Sequence, residues 1–238
     1  MDNAGYTAIT RQNGLLRELH LLANNIANIS TTGFRREGVL FSEHVRHLDA
    51  SEPALSMATA NARQTYLTQG AMTQTGGALD LAIEGDGFFL IDAPQGQMLT
   101  RAGHFQTNPD GEMVTPDGHR LLDQGGAPIF VPVDAGIVAI ARDGTLSVDG
   151  APLGQVALVR PADPTELRRA TGVLLEPTGE LLPAEEAIIH QGFLEESNVN
   201  PITEMARLIA VQRAYEMGQS FLEREDERIR NVVQTLGR

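Results

Sequence analysis

The sequence predicts an α+β chain, with long N- and C-terminal α-helices forming a coiled-coil-like bundle and a central antiparallel β-rich domain. Three observations predict it. All 12 prolines lie between Pro53 and Pro201, and 18 of the 24 glycines fall in the same interval. At both ends of the chain, apolar residues recur in alternating steps of three and four. In the middle, short apolar runs alternate with turn dipeptides. Proline breaks helix interiors and glycine costs about 1 kcal/mol per helical site. The chain therefore divides into residues 1–48 (a helix and the turn after it), 49–76 (an extended linker), 77–193 (the β-rich part) and 194–238 (a second helix).

The C-terminal helix is the clearest element. Asn200 is a suitable N-cap, Pro201 sits at the first helical position, and Glu204 falls in the first turn, where the helix dipole favours it. Steps of three and four then run Met205, Leu208, Gln212, Tyr215, Gln219, Leu222, Asp226, Ile229, Val233, Leu236. With Met205 at heptad position a, the d row is Leu, Tyr, Leu, Ile, Leu, while the a row carries Gln212, Gln219 and Asp226. That is a coiled-coil seam whose polar a positions cost stability but fix register. A helix over Ile202–Leu236 is roughly 50 Å long at 1.5 Å per residue. At the other end, Ile9, Leu16 and Ala23 form one row and Leu19 and Ile26 another, with a stop expected near Asn28 because Ser30-Thr31-Thr32-Gly33 is turn chemistry. Asn24 and Asn28 share a helical face. They either face solvent or hydrogen-bond a neighbouring helix end across a subunit contact. An amphipathic helix this long needs packing to persist in water. Its faces either wrap their own domain or pair and present further apolar surface to neighbouring subunits.

In the middle, the expected strands include Leu79–Ile83, Phe88–Ile91, Ile129–Val131, Ile137–Ile140 and Val156–Val159. Asp-Gly occurs five times, beginning at Asp86, Asp110, Asp117, Asp143 and Asp149. Asp-Gly suits tight hairpins because both positions tolerate positive φ.

Composition removes several functions. There is no Cys and no Lys among 238 residues, so thiol nucleophiles, Cys-based metal sites and Schiff-base lysines are excluded. The net charge is −13, which argues against nucleic-acid binding. The acidity is concentrated: residues 49–193 hold 7 Arg against 19 acids, whereas the two ends are near neutral and can pack side by side. No apolar run is long enough for a membrane span, and no cleavable secretory signal is read at the start. Gly85-Asp86-Gly87 lacks the rest of a dinucleotide loop, Asn108–Gly111 reads as a turn rather than a calcium loop, and His44 with His47 lacks a third zinc ligand. No catalytic residue, cofactor or metal is expected.

Several strings carry a resemblance. Asn24-Asn25-Ile26-Ala27-Asn28 followed by Ser30–Arg35, then Gln69-Gly70 through Leu79–Ile83 to Gly85–Phe89, then Thr100–Phe105, and finally Gly192–Glu195 with Ser197–Asn200 and Gln212–Glu216 resemble the flagellar basal-body rod and hook protein family. Both ends and roughly residues 69–120 carry the likeness; 121–185 carry it loosely. The start, Met1–Ala8, is most similar to the proximal-rod member, with Gly5 in place of an apolar residue. The resemblance implies a structural subunit of the rod whose terminal helices pack along the axis and whose β domain faces outward. Its partners would be other rod proteins, copies of itself and the flagellar export apparatus. It would be located in the periplasmic basal body and transmit torque mechanically. A distal-rod or hook relative and a coiled-coil-anchored cell-wall enzyme are the alternatives.

Overall fold

The computed structural model describes residues 3–46, 55–132 and 134–236, with side chains over 7–40, 62–132 and 134–235. His47 and the side chains of His44 and Leu236 lie outside the described residues. Contacts divide the chain into two units. The first comprises Met1–Ala27, Glu37–Gln64 and Asn200–Arg238; the second comprises Asn28–Arg36 and Thr65–Val199.

The first unit is built on two helices, α1 (Asn3–Ala27) and α2 (Pro201–Leu236). Asn200 caps α2 as expected: its Oδ1 accepts hydrogen bonds from the Ile202 and Thr203 amides, each at 3.1 Å. The two helices run antiparallel. Gln12 donates to the Tyr215 carbonyl (2.8 Å), Arg207 donates to Glu18 (2.7 Å), and Asn25 donates to Glu204 (3.0 Å), so rising numbers on α1 meet falling numbers on α2. Leu15, Leu22 and Val211 are the buried centre of the seam, flanked by Leu19, Leu208, Ala214 and Tyr215.

This seam differs from the expected heptad. The d residues Leu208, Tyr215 and Leu222 are half-buried, but their companions are Glu204, Val211 and Gly218 rather than the a row. Met205, Gln212, Gln219 and Asp226 are exposed. One partner helix covers one stripe, and it covers the stripe lying on the side of d away from the polar row. Gln12 packs over Gly218, where a Cβ would stand 2.2 Å from its Nε2. On α1, the Ile9–Leu16–Ala23 row also faces away from α2, exposed, while Leu19 and Ile26 are half-buried. The described chain therefore holds a two-helix antiparallel pair. Strands β1 (Glu37–Arg46) and β2 (Leu55–Thr65) pair as a two-stranded ribbon in the same unit, and β1 packs on α1. All of β2 falls within the segment 49–76 read as an extended linker.

The second unit is β structure throughout, with antiparallel pairings. A sheet runs in the order 167–169, 175–177, 96–100, 88–93, 120–121, 113–114, 106–107, and the strand Leu158–Pro161 joins it beside Phe88–Ala93 and pairs with Leu181–Pro183. Smaller sheets pair Ile188–Gln191 with Leu81–Glu84, Phe193–Glu195 with Met72–Gln74, and the strands Val138–Ile140, Thr145–Val148 and Ala151–Gln155 with one another. The core gathers Leu81, Ile83, Phe89, Ile91, Met113, Leu121, Leu146 and Ile189, all at most 1% exposed. Its two aromatic rings, Phe89 and Phe105, meet edge to face at 5.3 Å.

Two local expectations change. Ile129 and Val131 are buried, but the segment contributes a single bridge at Phe130 rather than a strand. Of the five Asp-Gly pairs, only Asp149-Gly150 has both residues at positive φ (50° and 83°). At Asp86-Gly87 the positive φ has moved to Gly85, while the other three place only the glycine there.

Gly33 ends the turn after α1 at φ 67°, and a Cβ there would lie 2.2 Å from the Ala102 backbone nitrogen. Both conformation and space demand glycine. Gly33→Ala is expected to lower unfolding stability by at least about 2 kcal/mol, read by urea denaturation.

Candidate functional site

The residues that sequence reasoning marks for packing between subunits fall into two groups. Leu19, Ile26, Leu208, Tyr215 and Leu222 are half-buried. Ile9, Leu16, Ala23, Asn24, Met205, Gln212, Gln219, Asp226, Ile229 and Val233 are exposed. Asn28 is half-buried, and its Oδ1 accepts the Thr31 hydroxyl in the turn after α1 (3.0 Å). The outer rows of the helix pair thus remain open. The distal part of α2 is opener still. By the antiparallel register, α1 runs out opposite residue ~226 at one residue per residue. Beyond it, Ile229, Val232 and Val233 are 46, 49 and 65% exposed.

The asparagine that carries structural work is Asn25, which the expectation based on Asn24 and Asn28 passes over. It is fully buried. Its Nδ2 donates to the Glu37 carbonyl (2.8 Å) and to Glu204 Oε2 (3.0 Å), and its Oδ1 accepts the Glu37 amide (3.0 Å). One amide side chain therefore imitates a strand neighbour for the start of β1 and also reaches α2. The sequence signal was present. Continuing the buried stripe Leu15, Glu18, Leu22 by three residues lands on Asn25.

In the second unit, a buried ionic cluster anchors the segments that lead to and from the first. Glu195, fully buried, receives Arg35 at 2.6 Å and Arg101 at 3.1 Å, with both guanidiniums at most 3% exposed, and accepts the Gly70 amide at 2.7 Å. Arg101 also donates to the carbonyls of Ile83 (2.9 Å) and Gly85. Burial pushes the Arg101 guanidinium down to about 10; Glu195 opposes that shift and Arg35 adds to it. The group remains charged at neutral pH. Arg169 stacks on Phe34 at 4.4 Å and donates to the Arg35 carbonyl. Asn198 completes the anchor. It accepts the Arg36 amide (2.6 Å) and donates to the carbonyls of Tyr66 (2.9 Å) and Thr68 (2.8 Å). Arg36 precedes β1, Tyr66 follows β2, and Asn198 shortly precedes α2. Three crossings of the chain are therefore tied at one asparagine. The separate strings Gly33–Arg35, Gln69-Gly70, Thr100–Gly103 and Gly192–Asn198 meet here.

Elsewhere several polar groups are satisfied by near neighbours. His104 and Thr75 both bond Asp80, at 2.6 Å each, and the Thr75 hydroxyl, which donates to that carboxylate, accepts the Gly77 amide at 3.3 Å. Asn108 forms a side-chain-capped turn, bonding the amides of Asp110 and Glu112. Among the described residues, no three His, Cys, Asp or Glu gather as a metal site. No helix among them is long and apolar enough to cross a membrane.

Fold and surface together define a class: a β protein carrying an amphipathic helix pair whose outer rows are uncovered. Three family models match it: a flagella basal body rod protein model over residues 6–35, the flagellar hook protein FlgE/F/G D1 domain over 82–148, and the C-terminal part of the flagellar basal body rod FlgEFG proteins over 190–235. The chain is 42% identical to the flagellar basal-body rod protein FlgF of Caulobacter vibrioides, an alignment covering 100% of this chain and 99% of that one. It is 37% identical to FlgF of Mesorhizobium japonicum at the same coverage, and 30% identical to the rod protein FlgG of Bacillus subtilis over 96% of this chain and 97% of the relative. The chain belongs to the flagellar basal-body rod protein family, and within it is FlgF-like.

Two substitutions test the buried polar sites. Glu195→Gln leaves Arg35 and Arg101 without a counter-charge and is expected to cost about 3–5 kcal/mol in urea unfolding. Asn25→Ala strands the Glu37 amide and carbonyl, and about 1–3 kcal/mol should be lost, monitored by the helical circular dichroism signal.

Proposed function

We propose that this chain is a structural subunit of the flagellar basal-body rod, in its proximal part, and that it polymerises through its terminal helices into a shaft that transmits torque. The observation that carries the reading is the uncovered apolar surface of the helix pair: the outer row of α1, with Ile9 and Leu16, and the distal turns of α2, with Ile229, Val232 and Val233, all exposed. Each such side chain, once buried, contributes about 1.5–3 kcal/mol. A row of them is a strong drive to associate. Relatives named as rod proteins along the whole chain support the same reading.

The mechanism is then mechanical. Stiffness in a shaft comes from close-packed helices that resist shear. The polar row Gln212, Gln219 and Asp226, turned away from α1 in the single chain, is placed to set the stagger against neighbouring helices. Asn24 lies exposed on α1. Partners are copies of the chain and other rod proteins. The chain reaches the periplasmic rod through the flagellar export apparatus. No catalytic group or cofactor takes part.

The test is genetic and structural together. A strain deleted for the gene should lose the rod and motility and regain both on complementation. Ile229→Asp combined with Val233→Asp should leave the purified chain's unfolding stability within about 0.5 kcal/mol, because both sites are exposed, yet abolish complementation. Swimming by the deletion strain would contradict the reading.

A further inference from the structure

A groove of about 540 Å³ runs between α1 and α2. Ala8 and Leu15 of α1 and Ala214, Gly218 and Phe221 of α2 give it apolar walls, and the small residues among them leave room for a further helix to come close. Its charged residue, Arg11, is exposed, so shape and hydrogen bonding select an occupant more than charge does. Gln12 lines the groove as well and is 9% exposed. Its Nε2 donates to the Tyr215 carbonyl (2.8 Å). A carbonyl is met only by the nitrogen end of an amide, so Oε1 is the end left over. That oxygen is buried and accepts no hydrogen bond among the described residues. A buried acceptor without a donor is costly in the single chain, and a donor supplied from outside relieves it.

The same helix carries the complement on another face. Ile9, Asn13 and Leu16 are four and three residues apart, as are Ala8, Gln12 and Leu15. The first set is turned from the second by one residue, about 100° around the helix. All three of its members are exposed, and Asn13 offers an amide donor between two apolar side chains. We propose that the groove receives the Ile9–Asn13–Leu16 face of α1 from a second copy of the chain, with the Asn13 amide donating to Gln12 Oε1. The equal spacing then sets Ile9 over Ala8 and Leu16 over Leu15, at a shift of one residue, about 1.5 Å along the axis. Only parallel helices achieve this. An antiparallel arrangement puts Ile9 and Leu16 opposite positions 16 and 9, off the groove. One amide pair within an otherwise apolar contact fixes the register. Each copy gives one face and receives on the other, so the contact propagates into a ring or a helical array instead of closing as a pair. It rests on the rod-subunit reading and adds which faces of neighbouring copies meet.

The chain has no cysteine, so introduced pairs cross-link without background from it. Ile9→Cys on the exposed face and Met217→Cys at the groove, 51 and 66% exposed, are placed on one chain. Rods isolated from the strain that expresses it are treated with a short bismaleimide. Covalent dimers and higher multiples are expected, absent from either single variant. Asn13→Leu should leave the urea midpoint of the purified chain unchanged, because the site is exposed, yet cut the cross-link yield tenfold or more and impair swimming. Adding Gln12→Met removes the stranded acceptor and should recover most of the yield. Asn13→Gln, which keeps a donor, should retain at least half of it, and serves as the second readout where Gln12→Met lowers stability. Four results would overturn the contact: no covalent multiples, equal yields when Ile137→Cys in the β unit replaces Met217→Cys, full cross-linking and swimming by Asn13→Leu, or a loss in Asn13→Gln as complete as in Asn13→Leu. In each case the rod reading would still stand on a non-motile deletion strain, and that strain's swimming would sink the reading itself.

Discussion

Glu195 sits with no exposure between two buried guanidiniums, and the rest of the molecule is organised around that constraint. A carboxylate taken out of water is costly unless its lone pairs are filled and its charge is met. Here Arg35 and Arg101 meet the charge, and the Gly70 amide fills a further acceptor position. Each partner lies on a different part of the chain: just after α1, within the β core, and before the strand Met72–Gln74. Asn198 extends the same logic with neutral hydrogen bonds to the segments leaving for β1 and returning from β2. A small polar centre fixes, on the side of the β unit, where the chain crosses to and from the helical unit.

The surfaces divide according to chemistry. The β unit, Asn28–Arg36 with Thr65–Val199, carries 8 arginines against 19 acids; the helical unit carries 10 against 12. Strong like charge keeps a surface solvated and discourages close self-packing, whereas a near-neutral one permits it. The exposed apolar side chains of the helix pair lie on the near-neutral unit. A subunit of a close-packed polymer needs that segregation, with one part that associates and one that stays wet.

Much of this was legible in the residues. Pro201 and Asn200 gave α2 its start and the three–four spacing its helical character, because capping and periodicity are local properties. The turn at Ser30–Gly33 followed from its own chemistry. Which stripe of α2 meets α1 was not legible. Met205 and Val211 are both apolar, and only the partner's position decides that Val211 is buried and Met205 exposed. The role of Asn25 was not legible for a related reason. An asparagine on an apolar stripe is unfavourable until β1 arrives to use both ends of its amide. The buried cluster was visible only as separate strings, since nothing in the sequence joins Arg35, Arg101 and Glu195 before the fold does. Ile129–Val131 satisfied the apolar pattern of a strand, yet the ladder there is a single bridge.

Amide hydrogen exchange along α2 examines the central idea most directly, comparing the dilute chain with the assembled rod. Residues 227–236, which extend past α1, should exchange within the dead time in the dilute chain and become protected by orders of magnitude in the rod, while the amides around Val211 stay protected in both. Protection of 227–236 already present in the dilute monomer, or none gained in the rod, would contradict association through the open ends of the helix pair.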